Sequence, residues 1–212
     1  MARLYNSACM RILPASPQAT DEAISVLREG GIIAHATETC YGLACDLSNP
    51  QAVAKLFRVK DRPSDQPVSA LFASIDDAKR YVEWGDRAQE YAKHLPGPLT
   101  LVLSLRKDAP KLVYERPYSP FSILHSPFRT LGIRISPHST ALALVSGFGS
   151  PISTTSANLH GKANPYSAEE IAAQFAGQRF QPDVIIDDGT LPSVPPSKVI
   201  DLTTENSEIL RA

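Results

Sequence analysis

The sequence predicts an α/β fold, a single domain in which helices pack on one twisted, mixed β-sheet. Its length of 212 residues suits one hydrophobic core. Segments with helical and strand periodicity alternate in the first part of the chain, while strands cluster toward its end. With 43% hydrophobic and 20% charged residues, the chain has the composition of a globular protein rather than a disordered one.

Charge and cysteine content narrow the functional classes. The 21 Lys and Arg residues nearly balance the 22 Asp and Glu residues, so no overall field attracts nucleic acid or membrane, and any basic site must be local. No apolar run approaches the roughly 18 residues of a membrane span, and the first residues lack a signal-peptide pattern. We therefore expect a cytoplasmic protein with no membrane partner. Cys9, Cys40 and Cys45 lack metal-binding spacing, so we expect reduced thiols, with Cys40 a small buried filler.

The individual elements follow from periodicity and from residues that start or stop helices. Apolar residues within 20–29 recur at helical spacing and Gly30 follows as a stop signal, whereas Asn49 and Pro50 are typical of a helix start. Further helices are predicted as a pair within 75–94 and singly at 138–147 and 167–176. Strands are predicted at 32–36, 68–73, 99–105, 131–136, 151–157, 183–187, 198–202 and 208–211.

One segment does not fit the alternation of helices and strands. Residues 107–130 are rich in proline and aromatic residues and show no periodicity, which predicts an extended excursion from a single domain that spans 1–212. Within the excursion, residues 114–128 either cover a pocket or decorate the surface, and we favour decoration.

Two polar clusters are candidates for a binding site. Lys60 and Arg62 stand two residues apart after a helix, and in extended backbone both would face the same way and favour an anion between them. The alternative is a solvated surface pair neutralised by neighbouring aspartates. Hydroxyl and amide side chains also crowd 153–158, where a strand ends, and 35–46, "HATETCYGLACD". Such stretches occur in ligand loops at strand ends and equally in capped turns.

The order of short motifs decides between these readings. "TETCYGLACD", "KDRPSDQP", "PGPLTLVL", "GIRIS", "STTSANLHGK" and "PSKVIDLT" occur in the order found in the YrdC-like family, which the chain resembles over roughly residues 16–212. The resemblance implies the fold that this family shares with DHBP synthase. It also implies a threonylcarbamoyladenylate synthase, which joins L-threonine, bicarbonate or CO2 and ATP into threonylcarbamoyl-adenylate for the t6A modification of tRNA.

The resemblance also implies roles for individual residues. The family's Lys-x-Arg and Ser-x-Asn motifs fall on the four positions expected to be catalytic, Lys60, Arg62, Ser156 and Asn158. Positions that match the family's L-threonine contacts are Thr39, Arg134, Ser156 and Ser197. Positions that match its ATP contacts are Arg62, Gln66, Thr130, Thr154, Asn164 and Arg211. No protein-held metal is expected; Mg2+ would arrive with ATP. Expected partners are the substrates, a downstream t6A transferase complex, and tRNA or double-stranded RNA.

Departures from the family pattern leave rival readings open. Leu71 stands where relatives often carry a histidine, and Lys198 follows the later serine where relatives often carry threonine. Residues 114–128 have no counterpart in the family's core pattern. One rival is a YciO-like protein of the same fold without this activity, and retention of both motifs argues against it. The other is a non-catalytic RNA-binding module, which near-zero net charge disfavours.

Overall fold

The computed structural model describes residues 10–62, 68–112, 130–204 and 208–211. The strands within these ranges are β1 (Arg11–Pro14), β2 (Ile33–His35), β3 (Gly42–Ala44), β4 (Ser69–Leu71), β5 (Leu99–Ser104), β6 (Thr130–Arg134), β7 (Ile152–Ser156), β8 (Val184–Asp187), β9 (Lys198–Asp201) and β10 (Glu208–Arg211). The helices are α1 (Pro17–Arg28), α2 (Pro50–Lys60), α3 (Ile75–Lys79), α4 (Asp86–Tyr91), a 3-10 turn (Ala92–His94), α5 (Ser139–Phe148) and α6 (Ala168–Phe175).

The strands form one mixed sheet, as predicted. Their spatial order is β1-β8-β2-β3-β7-β4-β6-β5-β9-β10. Strand β8 is parallel to both β1 and β2, and β4–β6 and β5–β9 are further parallel pairs. The pairs β2–β3, β3–β7, β4–β7, β5–β6 and β9–β10 are antiparallel. Neighbours in this order are mostly distant in the chain, so the sheet brings motifs from both halves of the sequence together.

Alternating side chains of the strands supply two apolar layers, one on each face of the sheet. Helices α1 and α5 cover one face, where their apolar residues pack against Ile33, Leu71 and Ile186. Helices α2 and α6 belong to the larger cluster on the other face, with Ala34 and Ile185 from the same two central strands. The alternation of Ile33 and Ala34 between layers shows why the strands read as continuous apolar runs.

Local signals position α2 as predicted. The Asn49 side chain accepts hydrogen bonds from the backbone N–H groups of Gln51 and Ala52, and Pro50 occupies the first turn. The helix ends at Lys60 because Asp61 adopts a left-handed conformation, with φ of 50°.

Two strands were not predicted. Strand β1 is four residues long and ends in proline, and β3 lies inside the hydroxyl-rich stretch 35–46, which we interpreted as a bend. Both are too short for their periodicity to stand out, and sheet pairing creates them. Most of the predicted excursion at 107–130, including 114–128, lies outside the described residues. None of the helices in the described ranges is both long and apolar enough to cross a membrane.

The burial of His35 makes the stability of the fold depend on pH. His35 is fully buried in β2, and its Nδ1 donates a hydrogen bond to the Ala36 carbonyl at 3.0 Å. Burial lowers the pKa of His35 from 6.5 to about 4. The unfolded chain therefore binds this proton more tightly than the folded chain does. The stability that the fold gains from keeping His35 neutral is present in full above pH 6.5 and is lost as the pH falls toward 4.

We predict that His35→Asn, which keeps a donor for the Ala36 carbonyl, flattens the decline in stability between pH 7 and pH 4. The wild type should lose about 3 kcal/mol of unfolding free energy through this group over that range. Urea unfolding at several pH values measures the difference. The exposed His94→Gln serves as the control and should keep the wild-type slope. Equal slopes for His35→Asn and wild type would contradict the prediction.

Candidate active site

A cavity of about 460 Å³ lies where α2, β4, β6 and β7 meet the β9–β10 edge of the sheet. Ten of the twelve residues predicted for the site line it: Thr39, Lys60, Arg62, Arg134, Thr154, Ser156, Asn158, Asn164, Ser197 and Arg211. The predicted amino-acid and nucleotide residues therefore share one chamber. The residues come from segments separated by up to 172 positions, and only the sheet order brings them together.

Lys60 is held by the segment that ends β7. Its Nζ donates to the Ser156 carbonyl, the Asn158 carbonyl and Asn158 Oδ1 at 2.5, 3.0 and 3.0 Å. The residue is only 3% exposed, so the surface-pair alternative is wrong for Lys60. The three oxygens match the three hydrogens of an ammonium group. Lys60 therefore holds the Ser-x-Asn segment in place, and its charge acts on the cavity from within the wall.

Burial lowers the pKa of Lys60 to about 7, and the neighbouring Arg62 charge adds to the effect. The three oxygen acceptors oppose this shift because they favour the charged form.

Arg62 itself lines the cavity, but not for the reason inferred from the sequence. Lys60 is helical and Asp61 is left-handed, so the backbone there is not extended. The helix end, and not strand alternation, brings both cations to the same wall.

The Ser-x-Asn motif forms its own network at the end of β7. Ser156 Oγ donates to Asn158 Oδ1 at 2.6 Å, and Asn158 Nδ2 donates to the Lys162 carbonyl. Asn158 is buried, and its side chain thus contacts Lys60, Ser156 and the following loop at once. This explains why serine and asparagine are needed two residues apart, since the amide both accepts and donates.

Arg134, at the end of β6, forms the most buried of the ion pairs found among the described residues. Its Nη2 donates to Glu38 Oε1, and the two side chains are 11% and 13% exposed. Ser136 Oγ donates to the other Glu38 oxygen, and Arg134 Nη2 also approaches Thr39 Oγ1 at 3.3 Å. The Arg134 Nε is buried without a partner among the described residues. Glu38, which sequence reasoning missed, thus fixes the guanidinium from behind the cavity wall.

The first polar loop is locked by its own hydroxyls. Thr37 Oγ1 donates to the Cys40 carbonyl at 2.7 Å and lies 3.1 Å from Thr39 Oγ1. Thr37 and Thr39 are both nearly fully buried, and Thr39 lines the cavity. Cys40 is buried as predicted and also lines the cavity, and burial raises the pKa of its thiol. The loop is therefore both a tightly bonded turn and part of the wall.

Ser197 and Arg211 form the cavity wall at the β9–β10 edge of the sheet. Arg211 donates from Nε to the Ser197 carbonyl and from Nη2 to Ser197 Oγ, both at 2.8 Å. Ser197 Oγ also lies 3.1 Å from Thr100 Oγ1. A shift in strand register between Ile209 and Arg211 places the arginine opposite Val199. Such irregularities re-aim side chains at sheet edges, and here the result is a guanidinium directed at the cavity wall.

Three sequence expectations have a different outcome. Thr130 is buried at the start of β6, at the other end of the strand from Arg134, and is not among the residues that line the cavity. Gln66 lies outside the described residues. Leu71 is 1% exposed and packs in the apolar layer beneath α1 and α5. It is paired with Arg134 in the sheet but is not among the described residues that line the cavity.

The charged residues described in the cavity lining are all positive. Of the described residues that line the cavity, four carry cations and none carries a carboxylate. Burial, with help from the charge of Arg134, lowers the pKa of Arg211. No cluster of three or more His, Cys, Asp or Glu suited to a metal occurs among the described residues. The arrangement suits anionic ligands such as carboxylates and phosphates.

Comparison with known proteins identifies the family. A sequence model of the family named for Sua5, YciO and YrdC, described as telomere recombination, matches residues 25–212. The chain belongs to the Sua5/YciO/YrdC family. It contains the Lys-x-Arg and Ser-x-Asn motifs predicted from that resemblance, and the structure brings the four motif residues into one cavity.

Members of the Sua5/YciO/YrdC family with curated names resemble the chain over most of its length. The threonylcarbamoyl-AMP synthase of Bacillus subtilis is 38% identical over 162 residues, which cover 74% of this chain and 43% of that protein. The one from Aliivibrio fischeri is 29% identical over 182 residues, which cover 79% and 92%. The chain thus spans about half the length of some curated relatives and most of the length of others.

Solved structures of the Sua5/YciO/YrdC family share the fold. Pyrococcus abyssi Sua5 complexed with L-threonine is 32% identical with a TM-score of 0.81, and the match covers 94% of this chain and 56% of that chain. Escherichia coli YciO is 25% identical with a TM-score of 0.78, and the match covers 95% of both chains. These similarities confirm the predicted mixed sheet with helices packed on it.

We predict that Glu38→Ala lowers the free energy of unfolding by about 3 to 5 kcal/mol because it leaves the Arg134 charge buried without its partner. Combining Glu38→Leu with Arg134→Met should cost less than Glu38→Ala alone, since no buried charge remains. Urea unfolding of the single and paired variants measures both effects. As the control, Asp108→Ala removes the partner of the exposed Arg106 and should leave stability unchanged. A wild-type unfolding midpoint for Glu38→Ala would show that the pair does not stabilise the fold.

Proposed function

We propose that this chain is a threonylcarbamoyl-AMP synthase, which forms threonylcarbamoyl-adenylate and pyrophosphate from L-threonine, bicarbonate or CO2, and ATP. Similarity to synthases named for this activity supports the proposal. The observation that carries it is the cavity itself, in which Arg62, Arg134 and Arg211 line one chamber and no described lining residue is acidic. A reaction between two anions requires such a chamber.

The amino acid is assigned to the Arg134 side of the cavity. Arg134 is already held by Glu38 through Nη2, and it lines the cavity, where a guanidinium group is suited to pair with a carboxylate. Thr39, Ser156 and Ser197 add hydroxyl groups on the surrounding wall. The neutral amine of threonine then attacks the carbon of CO2 and releases a proton to solvent, which yields a carbamate.

The nucleotide is assigned to the side formed by Arg62, Thr154, Asn164 and Arg211. A carbamate oxygen attacks the α-phosphorus of ATP, and the bond to pyrophosphate breaks. The cations offset the repulsion between carbamate and triphosphate, and Lys60, Arg134 and Arg211 do so without rearranging at the moment of reaction because each is already held. No side chain forms a covalent bond to a substrate in this reaction. Mg2+ is proposed to arrive on the phosphates of ATP and to neutralise the departing pyrophosphate.

The product is a reactive mixed anhydride, so the proposal includes a transferase complex that uses it to form t6A on tRNA. Contact with tRNA or double-stranded RNA is proposed as secondary, because the chain has a formal net charge of −1. The YciO-like alternative shares the fold, since the match to Escherichia coli YciO covers 95% of both chains, but similarity to named synthases favours the synthase. The YciO-like alternative predicts a chain that folds as described but does not turn over these substrates.

We predict that purified protein with Mg2+ releases pyrophosphate only when ATP, L-threonine and bicarbonate are all present. Arg62→Ala should lower this rate at least about 100-fold, since removal of one preorganised donor at a site of developing charge has that size of effect. A coupled pyrophosphate assay, with each substrate omitted in turn, makes the measurement.

Arg106→Ala, which removes an exposed arginine that pairs with Asp108, is the matched control and should retain the wild-type rate. Absence of pyrophosphate from folded wild-type protein would favour the YciO-like alternative. A wild-type rate in folded Arg62→Ala would remove Arg62 from the reaction. The same protein titrated with RNA at several salt concentrations tests the secondary contact, for which a steep salt dependence is expected.

A further inference from the structure

Thr100 is a buried hydroxyl residue of the cavity wall to which no role has yet been assigned. It is 2% exposed, lines the cavity and lies in β5 opposite Val199 of β9. A Cβ atom added to Gly132 of the neighbouring strand would lie 3.4 Å from Thr100 Cγ2, so the methyl group of Thr100 packs toward that strand. The hydroxyl instead lies 3.1 Å from Ser197 Oγ. Thr100 therefore lines the cavity with its hydroxyl bonded to Ser197.

The hydrogen bonds of Ser197 can be assigned by counting donors and acceptors. A serine hydroxyl has one hydrogen and two lone pairs. Arg211 Nη2 lies 2.8 Å from Ser197 Oγ, and a guanidinium group can only donate. One lone pair of Ser197 is therefore occupied. Arg211 Nε holds the carbonyl of the same residue, also at 2.8 Å, which fixes the direction of approach.

The bond between Thr100 and Ser197 has two conceivable directions, which differ in whether Thr100 or Ser197 keeps a hydrogen for the cavity. Within the described part of the chain, Ser197 Oγ is the one hydrogen-bond partner of Thr100 Oγ1. If Ser197 donated, the Thr100 hydrogen would have no acceptor among the described residues, which costs free energy unless a ligand supplies one. If Thr100 donates, its hydrogen is used and the second lone pair of Ser197 is occupied. The hydrogen of Ser197 then has to leave this cluster, and the cavity is the open direction.

We propose that Thr100 is a positioning residue that, together with Arg211, makes Ser197 a hydrogen-bond donor to the bound amino acid. With both lone pairs occupied, Ser197 accepts nothing from a ligand and offers one O–H. It therefore selects an oxygen acceptor, such as the carboxylate of an amino acid held at Arg134. This inference rests on the proposed function, because the ligand is taken to be L-threonine. It assigns a hydrogen-bond donor to the Ser197 side of the site.

We predict that Thr100→Val weakens L-threonine binding about 5- to 10-fold, the size expected for one net hydrogen bond. Thr100→Ser, which restores a hydroxyl, should return the affinity to within about twofold of wild type. Isothermal titration calorimetry with L-threonine, without ATP, makes the measurement independent of turnover. Unfolding midpoints of all variants establish that each is folded.

A double-mutant cycle with Ser197→Ala provides the decisive comparison. If Thr100 acts through Ser197, Thr100→Val should have no further effect on affinity once Ser197 is alanine. Additive losses would overturn the inference, because they would mean that Thr100 acts on the ligand or the wall by another route. Thr140→Val is the control, since Thr140 is buried, bonds Asp188 and does not line the cavity. It should bind threonine as the wild type does.

The outcomes separate this inference from the proposed function. Threonine binding by the wild type together with an additive cycle would overturn only the role of Thr100. No binding by folded wild-type protein, with or without a non-hydrolysable ATP analogue, would overturn the proposed function and this inference with it.

Discussion

The site depends above all on one buried ammonium group. Lys60 Nζ is surrounded by oxygens of Ser156 and Asn158, and it joins the last turn of α2 to the segment that leaves β7. Moving a charge out of water is unfavourable unless enough oxygens replace the hydration shell. The geometry of these two segments therefore depends on the lysine, and the lysine depends on them. The three hydrogen bonds from Lys60 hold Ser156 and Asn158 at the cavity wall.

Two other cations of the cavity, Arg134 and Arg211, are held by the same principle with different partners. Glu38 holds Arg134 from behind the wall, and the hydroxyl and carbonyl of Ser197 hold Arg211. Each positive group thus keeps its position before a ligand is bound, although like charges face one another across the cavity. Such preorganisation lowers the cost of ordering side chains when the ligand arrives. It also explains why small hydroxyl residues are abundant at the ends of these strands.

Sequence patterns predicted the elements whose local signals are strong. The cap at Asn49 and the long apolar run of β5 are examples, as is the motif order that pointed to the family. The short strand β3 was missed because pairing with β2 and β7 creates it. The site residues were mostly found by resemblance to a family. Glu38 and Thr100 were not, because their parts are visible only once Arg134 and Ser197 are seen beside them.

The absence of carboxylates among the described lining residues affects how the protein has to be handled. A chamber lined by four cations and, among the described residues, by no carboxylate attracts small inorganic oxyanions as well as substrates. Sulfate or phosphate retained from purification buffers would occupy the wall around Arg62 and Arg211 and weaken apparent affinity for nucleotides. Chloride would compete less strongly, because it lacks the paired oxygens that a guanidinium group binds in a bidentate way. Samples exchanged into buffers of large, weakly coordinating organic ions would thus show the site at its full strength.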